Sequence, residues 1–216
     1  MRSVILGGLT AALLQVSALP AAAPAMAASV KPPALAQLRE ALLTPEDLGG
    51  GYTVNTKRNR EALGVEAART KKCVAAVKAL KPVLRSKAAS FIEEEDKPSG
   101  VKQFVISGTP AALARWENAG KVMVRDCVRA KADTKGAEET VTKLSIGAAG
   151  DWAYGIRYRK TVPEKNISPI HASDVVLIRV ENTVTLLVSD GFFSTFDPGL
   201  SRRAARLAVP KLKDVQ

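Results

Sequence analysis

A single histidine leaves this 216-residue chain little room for catalytic or metal chemistry. His171 alone cannot build a multi-histidine metal site. The acidic run Glu93-Glu94-Glu95-Asp96 lacks the ligand spacing and glycine of a calcium loop. A Ser–His–Asp relay would need the same histidine. Ser173 and Asp174 lie too close to it in sequence to close a triad, and no nucleophile-elbow motif occurs. His171 therefore reads as an exposed loop residue after Pro169. Gly49-Gly50-Gly51 lacks the Lys-Ser/Thr of a phosphate loop and reads as a turn. The expectation is a non-enzyme: no catalytic residue, no metal and no cofactor.

Three other groups of residues carry possible function. Trp152, Tyr154, Ile156 and Tyr158 alternate along one stretch and would share one face of a strand. Trp152, Tyr154 and Tyr158 are thus the candidates to line a cleft for a small ligand. From residue 57 to 87 ten Lys/Arg (57, 58, 60, 69, 71, 72, 78, 81, 85, 87) stand against Glu61 and Glu66, a local balance of +8. Lys71, Lys72 and Lys78 are the anion-binding candidates on the helix expected there. A solvated helix face is the other reading of these residues. Aromatic content is 5%, too low for the stacked rings of single-stranded nucleic-acid sites, so no nucleic-acid partner is expected. The partner is an unknown small ligand or, for the basic segment, an anionic envelope component.

The third group is the cysteine pair, whose meaning depends on compartment. The N-terminus has the three parts of a cleavable signal: Arg2, an apolar run from Val4 to Leu19 closed by Pro20, and a small-residue segment ending in Ala25-Met26-Ala27. Cleavage is expected between Ala27 and Ala28. That gives a signal peptide over 1–27 and a mature region over 28–216, of charge +10 once Arg2 is subtracted from +11. No cysteine precedes Cys73, so there is no lipid-attachment box. No later segment is long and apolar enough to span a membrane as a helix, so no transmembrane anchor is expected after cleavage. The expected destination is extracellular, with envelope association open. In that oxidising setting Cys73 and Cys127 are expected to form a disulfide. It would close a loop of about 55 residues, an entropic contribution of about 4 kcal/mol.

The elements that must position these residues read as α+β. Helices are expected over 34–43, after the Thr44-Pro45 cap, over 66–80 ended by Pro82, and from Thr109-Pro110 to about Ala130. On the last of these Leu113, Trp116, Gly120, Met123 and Cys127 form one inward stripe. Strands are expected over 52–56, 88–94, 101–107 and 139–146 (with Thr140, Thr142, Leu144 and Ile146 on one face), from Trp152 to Tyr158, and over 175–180 and 184–189. Residues 160–172 read as a polar loop and Glu181-Asn182-Thr183 as a hairpin turn. A basic C-terminal helix over 200–213 carries Leu207 and Val209, with Pro210 kinking or ending it. The result is one domain, an antiparallel sheet packed against two to three helices.

The ordered pieces "ALLTPEDLGGGY" (Ala41 to Tyr52), helical Cys73, Cys127 closing the long helix, "GDWAYGIRY" (Gly150 to Tyr158) and "VVLIRVENTVTLLV" (Val175 to Val188) cover nearly the whole mature region. In that order the chain resembles the actinobacterial family of extracellular sensor domains found on PknH-type serine/threonine kinases and in secreted proteins and lipoproteins. The resemblance implies an antiparallel sheet backed by helices, with a ligand cleft and no catalytic residues. Two features depart from the family: only one disulfide is possible, and Glu181 stands where the family's turn would carry Gly. The function expected is an exported non-enzymatic binding or sensor-like domain; the alternative is a peripheral envelope protein held to anionic lipid or polymer by its basic helix.

Overall fold

The computed structural model describes residues 31–55, 70–128, 131–134, 137–162 and 167–216. The expected signal segment (residues 1–27), Lys57, Arg58, Arg60 and Arg69 lie outside the described residues. One eight-stranded sheet, antiparallel throughout, organises the rest in the order β1-β2-β3-β8-β7-β6-β5-β4. Its strands are β1 (Tyr52–Val54), β2 (Ala88–Glu94), β3 (Ser99–Ser107), β4 (Lys131–Thr134), β5 (Ala137–Lys143), β6 (Trp152–Val162), β7 (Ile167–Val180) and β8 (Thr183–Phe192). The helices are α1 (Leu35–Glu40), α2 (Pro45–Leu48), α3 (Lys71–Ala79), α4 (Lys81–Leu84), α5 (Pro110–Val122) and α6 (Leu200–Asp214).

Helices cover both faces, which explains why β7 and β8 read as continuous apolar runs and not as alternating ones. Val175, Leu177, Val184, Leu186 and Val188 face α3, α4 and α5, together with Phe91, Phe104 and Ile156. Val176, Ile178 and Leu187 face α6 on the other side, with Ile92 and Val101. Leu200, Ala204, Ala208 and Leu212, four residues apart, form the buried stripe of α6. The small alanines let its backbone lie close to the sheet. Leu207 and Val209, the two apolar residues singled out in this helix, are only partly buried. Pro210 does not end α6. It sits on the exposed side, where water can take the carbonyl that a missing amide leaves unpaired.

Thr109 caps α5 by accepting from the Ala112 amide at 3.3 Å, and Thr70 caps α3 by accepting from the Cys73 amide at 3.1 Å. The α5 stripe of Leu113, Trp116, Gly120, Met123 and Cys127 is buried, and the helix closes with one π-turn over Met123–Cys127. Gln103 of β3, fully buried, ties the N-terminal segment to the sheet. Its Oε1 accepts from the Leu43 amide at 2.6 Å, and its Nε2 donates to the Ala41 carbonyl at 3.4 Å.

Three expectations need correction. Residues 160–162 and 167–172 are strand, not loop, with a register shift between Lys160 and Val162. Pro169 is tolerated there because β8 pairs with β7 only from His171 onward, so the preceding residues have no partner on that side. In β5 the residues buried within the strand are Ala137, Glu139 and Val141, while the Thr140–Thr142 face is covered only past the strand end, at Leu144 and Ile146. Pro82 does not close the chain's helical run: α3 stops at Leu80 and Pro82 enters the first turn of α4.

Candidate functional site

Strand alternation makes two polar clusters at one end of the central strands, one on each face. On the α3–α5 face, opposite the Glu181–Asn182 turn, cross-strand pairing sets Glu139, Lys160, His171 and Phe192 in one row. Tyr158, Ser173 and Asp190 form the next. Four strands at their usual separation make this platform about 14 Å across. The Lys102 ammonium reaches Asp190 at 3.2 Å, with side-chain exposures of 4% and 11%. Lys160 pairs with Glu139 at 3.4 Å. The His171 ring stacks on Phe192 at 4.9 Å and meets Tyr158 edge-on at 5.5 Å. Burial holds the imidazole below its ordinary pKa; Lys102, Lys160 and Arg159 push the same way against Asp190. It is therefore neutral at neutral pH. Phe192 is 41% exposed, an open apolar ring at the rim of this polar group.

His171 is thus a half-buried strand residue and not an exposed loop one. It shares a face with Ser173, while Asp174 projects to the opposite face, so these three cannot form a relay. Ser173 itself is 1% exposed. Among the described residues, no group of three or more His, Cys, Asp or Glu is placed to hold a metal ion, and no helix is long and apolar enough to cross a membrane.

On the α6 face Asp174 is completely buried and accepts from four donors. Arg157 grips it with Nε at 2.9 Å and a terminal nitrogen at 2.8 Å. Arg159 adds a bond at 3.2 Å and the Ser201 hydroxyl one at 2.8 Å. The same arginines hold the segment before α6: Arg157 donates to the Pro198 carbonyl at 3.1 Å, and Arg159 lies 4.2 Å over the Phe196 ring. This cluster fastens α6 to the sheet.

The sequence-derived candidates separate in space. Cys73 and Cys127 are bonded, with a Cα–Cα distance of 5.2 Å, and lock α3 to the end of α5. Trp152, Tyr154 and Tyr158 do share a face, but six residues of strand put Trp152 and Tyr158 about 20 Å apart. Trp152 and Tyr154 pack on each other at 5.3 Å under α5, where a methyl at Gly120 would overlap the Tyr154 ring. Only Tyr158 reaches the polar platform. Lys71, Lys72 and Lys78 are exposed on α3. Sequence reasoning missed Lys102, Asp190 and Glu139. The signal available was a charged residue, Lys102 or Asp190, inside a strand with no other charge.

No protein-family model and no curated protein matches the chain. Among solved structures it aligns with an uncharacterised protein from Mycobacterium smegmatis at a TM-score of 0.41 and 11% identity, over 85% of this chain and 97% of that one. It is similar to the extracellular domain of PknH from Mycobacterium tuberculosis, at a TM-score of 0.54 and 12% identity, over 85% of this chain and 98% of that one. At that identity the likeness shows a shared fold, the antiparallel sheet with helices packed on it.

Proposed function

We propose that the chain is an exported, non-enzymatic binding domain of sensor-like type whose small ligand sits on the polar end of the sheet. The carrying observation is the Lys102–Asp190 pair, withdrawn from water beside a stacked histidine and an exposed phenylalanine. A buried ion pair adds little to stability compared with apolar residues of the same size. Convergent polar groups beside an apolar surface are what a ligand site needs. Phe192 and half-buried His171 offer apolar ring surface and Lys160 offers charge, over the buried Lys102–Asp190 pair and Tyr158. Both carboxylates are committed to lysines and Ser173 is shielded, so the group suits holding a molecule better than transforming one. The fold shared with an extracellular domain and the N-terminal leader support action outside the cytoplasmic membrane.

A thermal-shift screen with amino acids, sugars, nucleotides and aromatic acids tests this. A compound that raises the wild-type melting temperature should lose its effect on Phe192→Ala, an exposed site whose truncation leaves the core intact. Hits that stabilise Phe192→Ala and His171→Gln as well as the wild type would place the ligand elsewhere and sink the assignment.

A further inference from the structure

The outer side of α3 and α4 carries Lys71, Lys72, Lys78, Lys81 and Arg85, all exposed. None of them forms an ion pair among the described residues. Helical geometry puts Lys71, Val74, Ala75 and Lys78 on the side opposite buried Cys73, Ala76 and Leu80, with Lys72 on the flank. Lys71 and Lys78 are about 10 Å apart along the axis. Val74, in their midst, is 54% exposed.

This arrangement works against the helix. The first turn of α3 holds no acid and opens with two lysines at the positive end of the macrodipole. Neighbouring like charges add repulsion, offset at Lys72 by attraction to Asp126 at the end of α5. The disulfide beneath holds the charged face to the body of the domain, so the cations stay clustered.

We infer that the outer face of α3–α4 docks onto the anionic surface of a lipid bilayer. Charge complementarity draws the five cations to acidic headgroups, and each cation near such a surface strengthens binding roughly fivefold. Val74 favours a bilayer over a charged polymer, because an apolar side chain ringed by cations gains from entering the headgroup boundary. A hydrated polyanion offers it nothing.

The test uses the chain from Ala28 onward, which carries every described element, in co-sedimentation with vesicles of phosphatidylcholine alone or with phosphatidylglycerol. Binding should require phosphatidylglycerol and be lost in high salt. Lys71→Gln/Lys72→Gln/Lys78→Gln should weaken it about a hundredfold. The same triple variant should melt close to wild type, since relief at Lys71 and Lys72 in the first turn offsets the loss of the favourable Lys78 charge in the last. Val74→Ser should lower vesicle binding roughly fourfold and leave binding to soluble polyphosphate unchanged. The inference is overturned if phosphatidylglycerol vesicles fail to bind at low salt, or if the triple variant binds as well as wild type. Polyphosphate binding with no vesicle binding would also overturn it, identifying the partner as a polymer.

Discussion

Replacing Asp174 with Asn isolates the charge that fastens α6 to the sheet. The side chain keeps its volume and one acceptor oxygen, but the anion shared by Arg157 and Arg159 disappears. Three bonds from guanidinium nitrogens, at 2.9, 2.8 and 3.2 Å, lose their charged acceptor, and two cations are left side by side. Removing one partner of a buried ion pair costs about 3–5 kcal/mol. The arginine side chains retain 24% and 19% exposure and can recover some hydration, which points to the lower end, about 3 kcal/mol. That is a large share of the roughly 5–15 kcal/mol that holds a domain folded. Urea unfolding followed by circular dichroism should show the midpoint falling with the slope unchanged. Hydrogen exchange should speed up at Ser201 and the following turn of α6 more than in α5, because the lost bonds include the one from the Ser201 hydroxyl. Pairing Asp174→Asn with Arg157→Gln should cost less than the sum of the two single changes. A loss below about 1 kcal/mol, or strict additivity of the pair, would refute the reasoning, since the arginines would then be solvated without the carboxylate.

Two further outcomes follow from local geometry. Glu181 has φ +49°, a left-handed conformation that costs an ordinary residue about 1–2 kcal/mol. Among the described residues its hydrogen bonds run through its backbone, to Asp151 and Arg179, so Glu181→Gly should keep them and raise stability by about 0.5–1 kcal/mol, read as a higher melting temperature; a lower one would refute the strain argument. The His171 imidazole is held below its ordinary pKa of 6.5, so the unfolded chain takes up the proton first. Its contribution is complete above that value and declines as pH falls through it toward the lower folded pKa. Thermal melts between pH 7.5 and roughly 5 should show this loss, and His171→Gln should remove that part of the slope.

Elements with strong local signals were legible in the sequence. Thr44-Pro45 and Thr109-Pro110 mark helix starts through capping chemistry, which acts over three or four residues. The Leu113-to-Cys127 stripe fixes which side of α5 faces inward. The mismatches arise where a neighbour decides. Residues 160–172 look like a loop because Pro169 and the charges around it oppose a paired strand, yet the end of β8 leaves room for them. Glu139 looks like a surface residue until Lys160 is brought across from β6.

By itself the sequence determined the composition of each element: where helices begin, which residues alternate, that one histidine cannot build a multi-histidine metal site, and that two cysteines could staple the chain. The strong basic excess near α3 was equally plain, because charge is summed along the chain. The order of strands was decided by tertiary structure alone. Placing β3 beside β8 brings Lys102 to Asp190, residues far apart in sequence whose pairing no local pattern encodes. The folding of α6 onto the sheet likewise buries Asp174 between arginines on one face, while Ser173 and His171 go to the other. Propensity and capping act between near neighbours, whereas burial and charge pairing depend on which distant strands come to lie side by side.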